Sequence, residues 1–152
     1  MQTKPNETHG TISTMKNQRQ LTDHKVNGLN EALDIYVMDE PGAGGANHRY
    51  LITIGEYEED NPDSVEIHFQ EGPIKDAGVN GISIEAIMAL ALDRLRGFQY
   101  ATNDAGERTT APGPFACREN ALALTHLEEA LMWLQKRTRD RMSRGVEGTM
   151  AK

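Results

Sequence analysis

Five basic residues, Lys136, Arg137, Arg139, Arg141 and Arg144, fall between positions 136 and 144 against one acid, Asp140. The rest of the chain holds eleven basic and twenty-two acidic residues, so an acidic protein keeps one concentrated cationic spot. A guanidinium is a planar fork that matches phosphate oxygens two at a time. Arg137 and Arg141 stand one helical turn apart on the flank of an apolar stripe, so both are expected to face an interior or an interface. Lys136 and Arg139 read as solvated complements to a helix C-terminus. The chemistry on offer is the binding of a compact anion.

A second candidate is the run Asp39-Glu40-Pro41-Gly42-Ala43-Gly44-Gly45-Ala46-Asn47-His48. Three glycines within four positions exceed what a hairpin needs. Glycine admits positive φ and close approach of a ligand, and successive free N–H groups make an anion-binding nest. No G-K-[ST] closes the loop and a strand follows it, so it is neither a phosphate-binding P-loop nor a dinucleotide fingerprint. The alternative is a flexible hairpin loop.

Catalytic groupings are not apparent. The chain has no G-x-S-x-G, H-E-x-x-H or C-x-x-C. Cys117, beside Phe115 and Ala116, reads as a small apolar residue, and His48 and His68 lack a third metal ligand. His126 sits among Glu128 and Glu129 as a surface or interface residue. Arginines, an asparagine, a phenylalanine and a glycine loop hold a nucleotide without turning it over.

The elements that must position these residues are legible. Leu124, Leu127, Leu131 and Leu134 recur at three- and four-residue steps, and no Gly or Pro interrupts residues 117–144, which predicts one long helix. Ser83 caps a second helix from 84 to about 96, with a stripe of Ile84, Ile87, Met88, Ala91, Leu95 and Phe98. Residues 100–114 read as an exposed loop between them. Alternation predicts strands at 32–39, 48–56 and 65–70, with a turn rich in Asn, Pro and Asp before the last. The expected fold is α+β: a small antiparallel sheet of about three strands (31–71) plus a long two-helix hairpin (80–144), within one domain of residues 31–149. Residues 1–30 fit no period and read as a disordered or loosely attached tail.

Composition bounds the function. The chain has 152 residues, 38% hydrophobic and 5% aromatic, which suggests a thin core completed by oligomerisation. A net charge of −7 argues against general nucleic-acid binding. One cysteine excludes an internal disulfide. No stretch is long and apolar enough for a membrane span, so a soluble cytoplasmic protein without cofactor or metal is expected.

The runs D-E-P-G-A-G-G-A-N-H (39–48), G-V-N-G-I-S-I-E-A (78–86), D-R-L-R-G-F-Q (93–99), and G-P-F-A-C-R-E-N-A-L-A-L-T-H-L-E-E-A-L-M-W-L-Q-K-R-T (113–138) ending in R-G-V-E-G-T (144–149) resemble the phage Thoeris anti-defence sponges of the first type. Their helical hairpin is similar to that of a phage anti-CBASS sponge family. The resemblance spans about residues 30–149. It implies non-catalytic sequestration of glycocyclic ADP-ribose, the signal of a bacterial TIR-domain enzyme. It also implies a homo-oligomer, a hexamer built from dimers with pockets between protomers. Some members take up the cyclic oligonucleotides of CBASS, cyclic trinucleotides among them, at a separate site. Residue by residue, it makes Phe98 a pocket aromatic, Asn120 a polar contact, and Arg137 and Arg141 basic pocket residues. It assigns ligand contact to Gly44, Gly45 and Asn47 of the loop. The insert 100–112 and the long N-terminal tail depart from the family pattern. A nucleotide-processing hydrolase using His48 or His126, and a phage structural or regulatory oligomer, stay open as alternatives.

Overall fold

The computed structural model describes residues 18–55 and 63–151, which form two compact units that part after Glu71. The first is a four-stranded antiparallel sheet in the order β1 (Gln20–Leu21), β2 (Leu33–Val37), β3 (Arg49–Ile54), β4 (Val65–His68). Pairing runs from Leu33–Ile54 to Val37–Tyr50 between β2 and β3, and from Arg49–His68 to Ile52–Val65 between β3 and β4. The period-2 segments of the sequence became β2, β3 and β4. β1 is a fourth strand inside the stretch read as a tail; a strand of two residues cannot display a period. A single turn, α1 (Gly28–Glu31), follows it, capped by the Asn27 side chain, which accepts from the Asn30 N–H at 2.9 Å. Residues 1–17, and most of the turn expected at 56–64, lie outside the described residues.

Within β3 the buried positions are Leu51 and Thr53, while Ile54 is exposed. Val37 of β2 is also buried. Tyr50 meets Phe69 edge-on, ring centroids 5.6 Å apart, on a half-buried face.

The second unit holds α2 (Ile74–Ala77), α3 (Ile84–Gln99), β5 (Tyr100–Thr102), β6 (Arg108–Pro112) and α4 (Arg118–Ser143). Helices α3 and α4 carry the expected hairpin. The Ser83 hydroxyl caps α3 by accepting from Ala86 N–H at 3.1 Å, as the sequence predicts. The cap of α4 is Cys117, whose Sγ accepts from Asn120 N–H at 3.4 Å. The core centres on Met88 and Leu92 of α3 and Leu124 of α4. Leu92, the most buried of them, lies outside the stripe read from the sequence, whereas Ile84 of that stripe is exposed. Arg96 of α3 pairs with Glu128 of α4 at 2.6 Å.

Residues 100–112 are not a loop. β5 and β6 pair as an antiparallel ribbon, Tyr100 opposite Pro112 and Thr102 opposite Arg108. Its turn is built by Asn103, whose Oδ1 accepts from the N–H groups of Ala105 (3.1 Å) and Glu107 (2.8 Å), with Gly106 at φ 79°. A three-residue strand and a polar five-residue strand ending in proline lack the apolar alternation that marks a hairpin in sequence. Arg108 of the ribbon bonds Asp93 of α3 at 3.0 Å.

Along α4 from residue 121 on, the covered positions are 121, 124, 127, 131, 134, 138 and 141, a run of three- and four-residue steps, with Asn120 also partly covered. Arg141 therefore continues the buried stripe, whereas Arg137 is exposed. Trp133, 64% exposed, and Met132 form a second apolar strip on the open side of the helix.

Candidate functional site

The expected site residues fall into three groups, two in the second unit and one in the first. The first group sits where α3 hands over to α4. Phe98 lies on the last turn of α3. The ribbon then returns the chain beside it, and Gly113 N–H donates to Gln99 O at 2.9 Å. A Cβ on Gly113 would stand 2.9 Å from Phe98 O and 3.0 Å from the Tyr100 carbonyl, so only glycine fits this close crossing. Two residues on, Phe115 meets Phe98 at right angles, centroids 6.3 Å apart with an 86° interplanar angle. The Arg94 guanidinium lies 5.2 Å from the Phe98 centroid, four residues before it on the same helix face. Asn120 donates from Nδ2 to Phe115 O at 3.2 Å. The insert thus does not part Phe98 from Asn120, because it folds back on itself and closes the gap.

The second group is at the far end of α4. From Asn120 to Arg137 at 1.5 Å per residue is about 25 Å, so one chain does not bring these two side chains to one small ligand. Arg137 is exposed and makes no ion pair among the described residues. Arg141 is 15% exposed and committed. Its Nε donates to Glu147 Oε2 at 2.8 Å and one Nη to Ala151 O at 2.7 Å; the other Nη donates to Val146 O at 3.0 Å and Thr149 O at 2.8 Å. A guanidinium has five N–H donors, so about one is left for anything else. The expectation of two inward forks for one pyrophosphate is thereby corrected. Arg141 wraps the C-terminal segment because it continues the buried stripe, and only Arg137 stands free. The segment itself is docked, since Gly148, at φ 74°, accepts from Lys75 N–H at 3.3 Å, and a Cβ there would meet Ile74 Cγ1 at 2.8 Å. Nearby, the Lys136 ammonium bonded to Asp140 at 2.6 Å holds that carboxyl below its ordinary range.

The third group is the glycine loop of the first unit. Ala43–Gly45 make one 3₁₀ turn, with Gly44 at φ 77° and Gly45 at φ 80°. Two of its N–H groups are spent internally, Gly42 on Ala46 O (2.8 Å) and Gly45 on Gly42 O (3.0 Å), so the full nest expected from sequence is not presented. Asn47 is used at both ends: its Nδ2 donates to Asp39 O at 2.6 Å and its Oδ1 accepts from Arg19 at 2.8 Å. Asp39 accepts from the N–H groups of His48 (2.8 Å) and Arg49 (3.2 Å). Partial burial would raise the Asp39 carboxyl, but these N–H groups, the Asn47 amide and the nearby His48 together hold it below its ordinary range. His48 is buried, its Nδ1 unpartnered among the described residues and 4.0 Å from Asp39 Oδ2. Beside this loop lies an open groove of about 540 Å³, lined in part by Arg19, Val37, Asp39, Pro41 and Asn47; Gly44 and Gly45 do not line it.

Sequence reasoning missed Phe115, Arg94 and the role of the C-terminal segment. Arg94 was legible as an i, i+4 partner of Phe98. Phe115 carries a weaker signal, a large apolar residue two positions before a helix cap in a breaker-rich run. Among the described residues no three His, Cys, Asp or Glu side chains are placed to hold a metal ion.

Residues 61–139, a little over half of the chain, match a family model described as Acb2/Tad1, hairpin domain. Over 86 residues the chain is 46% identical to a protein named Thoeris anti-defense 1 from Bacillus phage SBSphiJ7. That match covers 57% of this chain and 52% of the relative, so the chain spans about half the length of the curated relative it matches.

Proposed function

We propose that this chain, which belongs to the Acb2/Tad1 hairpin-domain family, sequesters an immune-signal nucleotide, glycocyclic ADP-ribose, and so blocks Thoeris defence without catalysis. The observation that carries the reading is the set of Phe98, Phe115 and Asn120 at one end of α4 and, at the other, the exposed guanidinium of Arg137, which has no ion pair among the described residues. An adenine has a flat face for a ring and edges for a carboxamide; a pyrophosphate is matched by an arginine fork.

The separation of about 25 Å along α4 exceeds what one such ligand spans, which favours a site completed by a second copy. Two copies with α4 helices antiparallel, crossing near residues 128 and 129, would bring Asn120 of one to Arg137 of the other. The exposed Trp133 and Met132 supply apolar surface for that contact. The reading takes a homo-oligomer, a hexamer built from dimers, as the working assembly. Arg141 serves the same site by holding the C-terminal segment next to Arg137, with about one donor left for phosphate. The glycine loop, with Gly44, Gly45 and Asn47, is a second contact region for the same signal or for cyclic trinucleotides.

The test is a release experiment. The protein is mixed with glycocyclic ADP-ribose, freed of unbound nucleotide, and heat-denatured; chromatography then reads what emerges. Intact nucleotide at about one per site supports sequestration. Degraded nucleotide would mean a hydrolase, and no retention at all would remove the nucleotide reading.

A further inference from the structure

Resting on the nucleotide-binding reading above, we infer that Phe115 is a second base-stacking residue, forming with Phe98 and Asn120 a corner selective for a purine that carries an exocyclic amino group. Phe98 is half-buried, with Arg94 on its ring, and has little free face of its own. Phe115 is 69% exposed. The two rings stand 86° apart, so a flat base laid on one points its edge at the face of the other, an arrangement that aromatic quadrupoles favour.

The exposed ring is held, not loose. Phe115 sits in a tight turn in which Ala116 N–H donates to Gly113 O at 3.2 Å and Cys117 N–H to Gln99 Oε1 at 3.2 Å. Its own carbonyl is fixed by Asn120 Nδ2. An aromatic with two side-chain torsions on an anchored backbone costs little further ordering on binding.

Asn120 also sets the selectivity. With Nδ2 spent on Phe115 O, its Oδ1 has no partner among the described residues. It accepts a hydrogen bond and has none to give at that atom, so it suits the N6 amino group of adenine and disfavours the carbonyl of hypoxanthine at the same position. Surface exposure alone does not account for a ring whose flanking backbone is held by three hydrogen bonds beside an unused acceptor.

The experiment is titration calorimetry on the full chain, with native mass measured on every variant. The probes are glycocyclic ADP-ribose and its deaminated, hypoxanthine-bearing analogue. Phe115→Ala is expected to weaken the adenine probe about ten- to a hundredfold, and Phe115→Tyr to stay within about threefold of the parent. The parent should prefer adenine over hypoxanthine by about tenfold or more, and Asn120→Asp, which keeps the acceptor but loses the bond to Phe115 O, should weaken both probes. Parent-like affinity in Phe115→Ala, with the parent still binding, would overturn the Phe115 assignment and leave the sequestration reading standing. A changed native mass in Phe115→Ala would overturn it too, assigning the ring to contact between copies. A parent that retains neither probe would overturn both readings.

Discussion

Removing the Arg141 guanidinium separates an anchoring role from a ligand-binding one. The side chain is 15% exposed and makes four hydrogen bonds, one to the Glu147 carboxylate and three to the carbonyls of Val146, Thr149 and Ala151. A net value of about 0.5–1.5 kcal/mol for each neutral acceptor, and somewhat more for the charged one, sums to several kcal/mol. Two effects reduce it. The freed carbonyls belong to a terminal segment and regain water, and each released residue recovers about 1–2 kcal/mol of backbone entropy. The closed state of residues 145–151 should therefore lose about 2–4 kcal/mol in Arg141→Ala, while α3 and α4 stay folded. In hydrogen exchange by mass spectrometry that is a fall in protection of about 30- to 1,000-fold. It should fall on the amides of Gly145 and Val146, which donate to Met142 O and Arg141 O at the end of α4, on Thr149, which donates to Val146 O, and on Lys75, which donates to Gly148 O. Arg141→Lys should recover only part of it, since one ammonium cannot serve acceptors spread over six residues. Unchanged protection in Arg141→Ala, accompanied by loss of nucleotide binding, would refute the reasoning and return Arg141 to the ligand.

Other perturbations have equally definite outcomes. Arg137→Ala should weaken nucleotide binding about ten- to a hundredfold, with the melting temperature unchanged within about 1 °C, because its exposed guanidinium makes no ion pair among the described residues. The remaining affinity should lose its salt dependence. Gly148→Ala adds a Cβ 2.8 Å from Ile74 Cγ1 at a φ of 74°, so clash and strain together should cost about 2–4 kcal/mol of local stability, read by thermal melting and exchange at Lys75. Asp39 has a lowered pKa in the folded state, so its stabilisation is complete above the unfolded value of about 4 and is lost as pH falls through the lower folded value. Exchange protection at the His48 and Arg49 amides should therefore drop below about pH 4, and Asp39→Asn should show that weaker protection already at pH 7 with no acid step.

How much was legible depended on how far each element repeats its own period. The long helix, its neighbour with the Ser83 cap and three strands were all written in patterns of five residues or more, and each was found within a few residues of its expected bounds. The family was legible too, because the runs around Phe98 and Asn120 are long and specific, and the match over residues 61–139 bears them out. β1 and the β5–β6 ribbon escaped. Strands of two and three residues hold no period and the five of β6 are polar up to Ala111, so their pairing partners, not their own residues, make them strands.

The sequence by itself determined which residue types the candidate site has to work with: a phenylalanine, an asparagine and arginines at four-residue spacing. Helical periodicity and side-chain chemistry are local properties, and both can be read without knowing what lies opposite. Only the tertiary structure decided what each group is free to do. It placed Phe115 against Phe98, spent the Asn120 Nδ2 on the Phe115 carbonyl, and spent Arg141 on the C-terminal segment while leaving Arg137 open. The physical reason is that a donor or acceptor binds a ligand only if the fold has not already satisfied it, and satisfaction depends on groups distant in the chain.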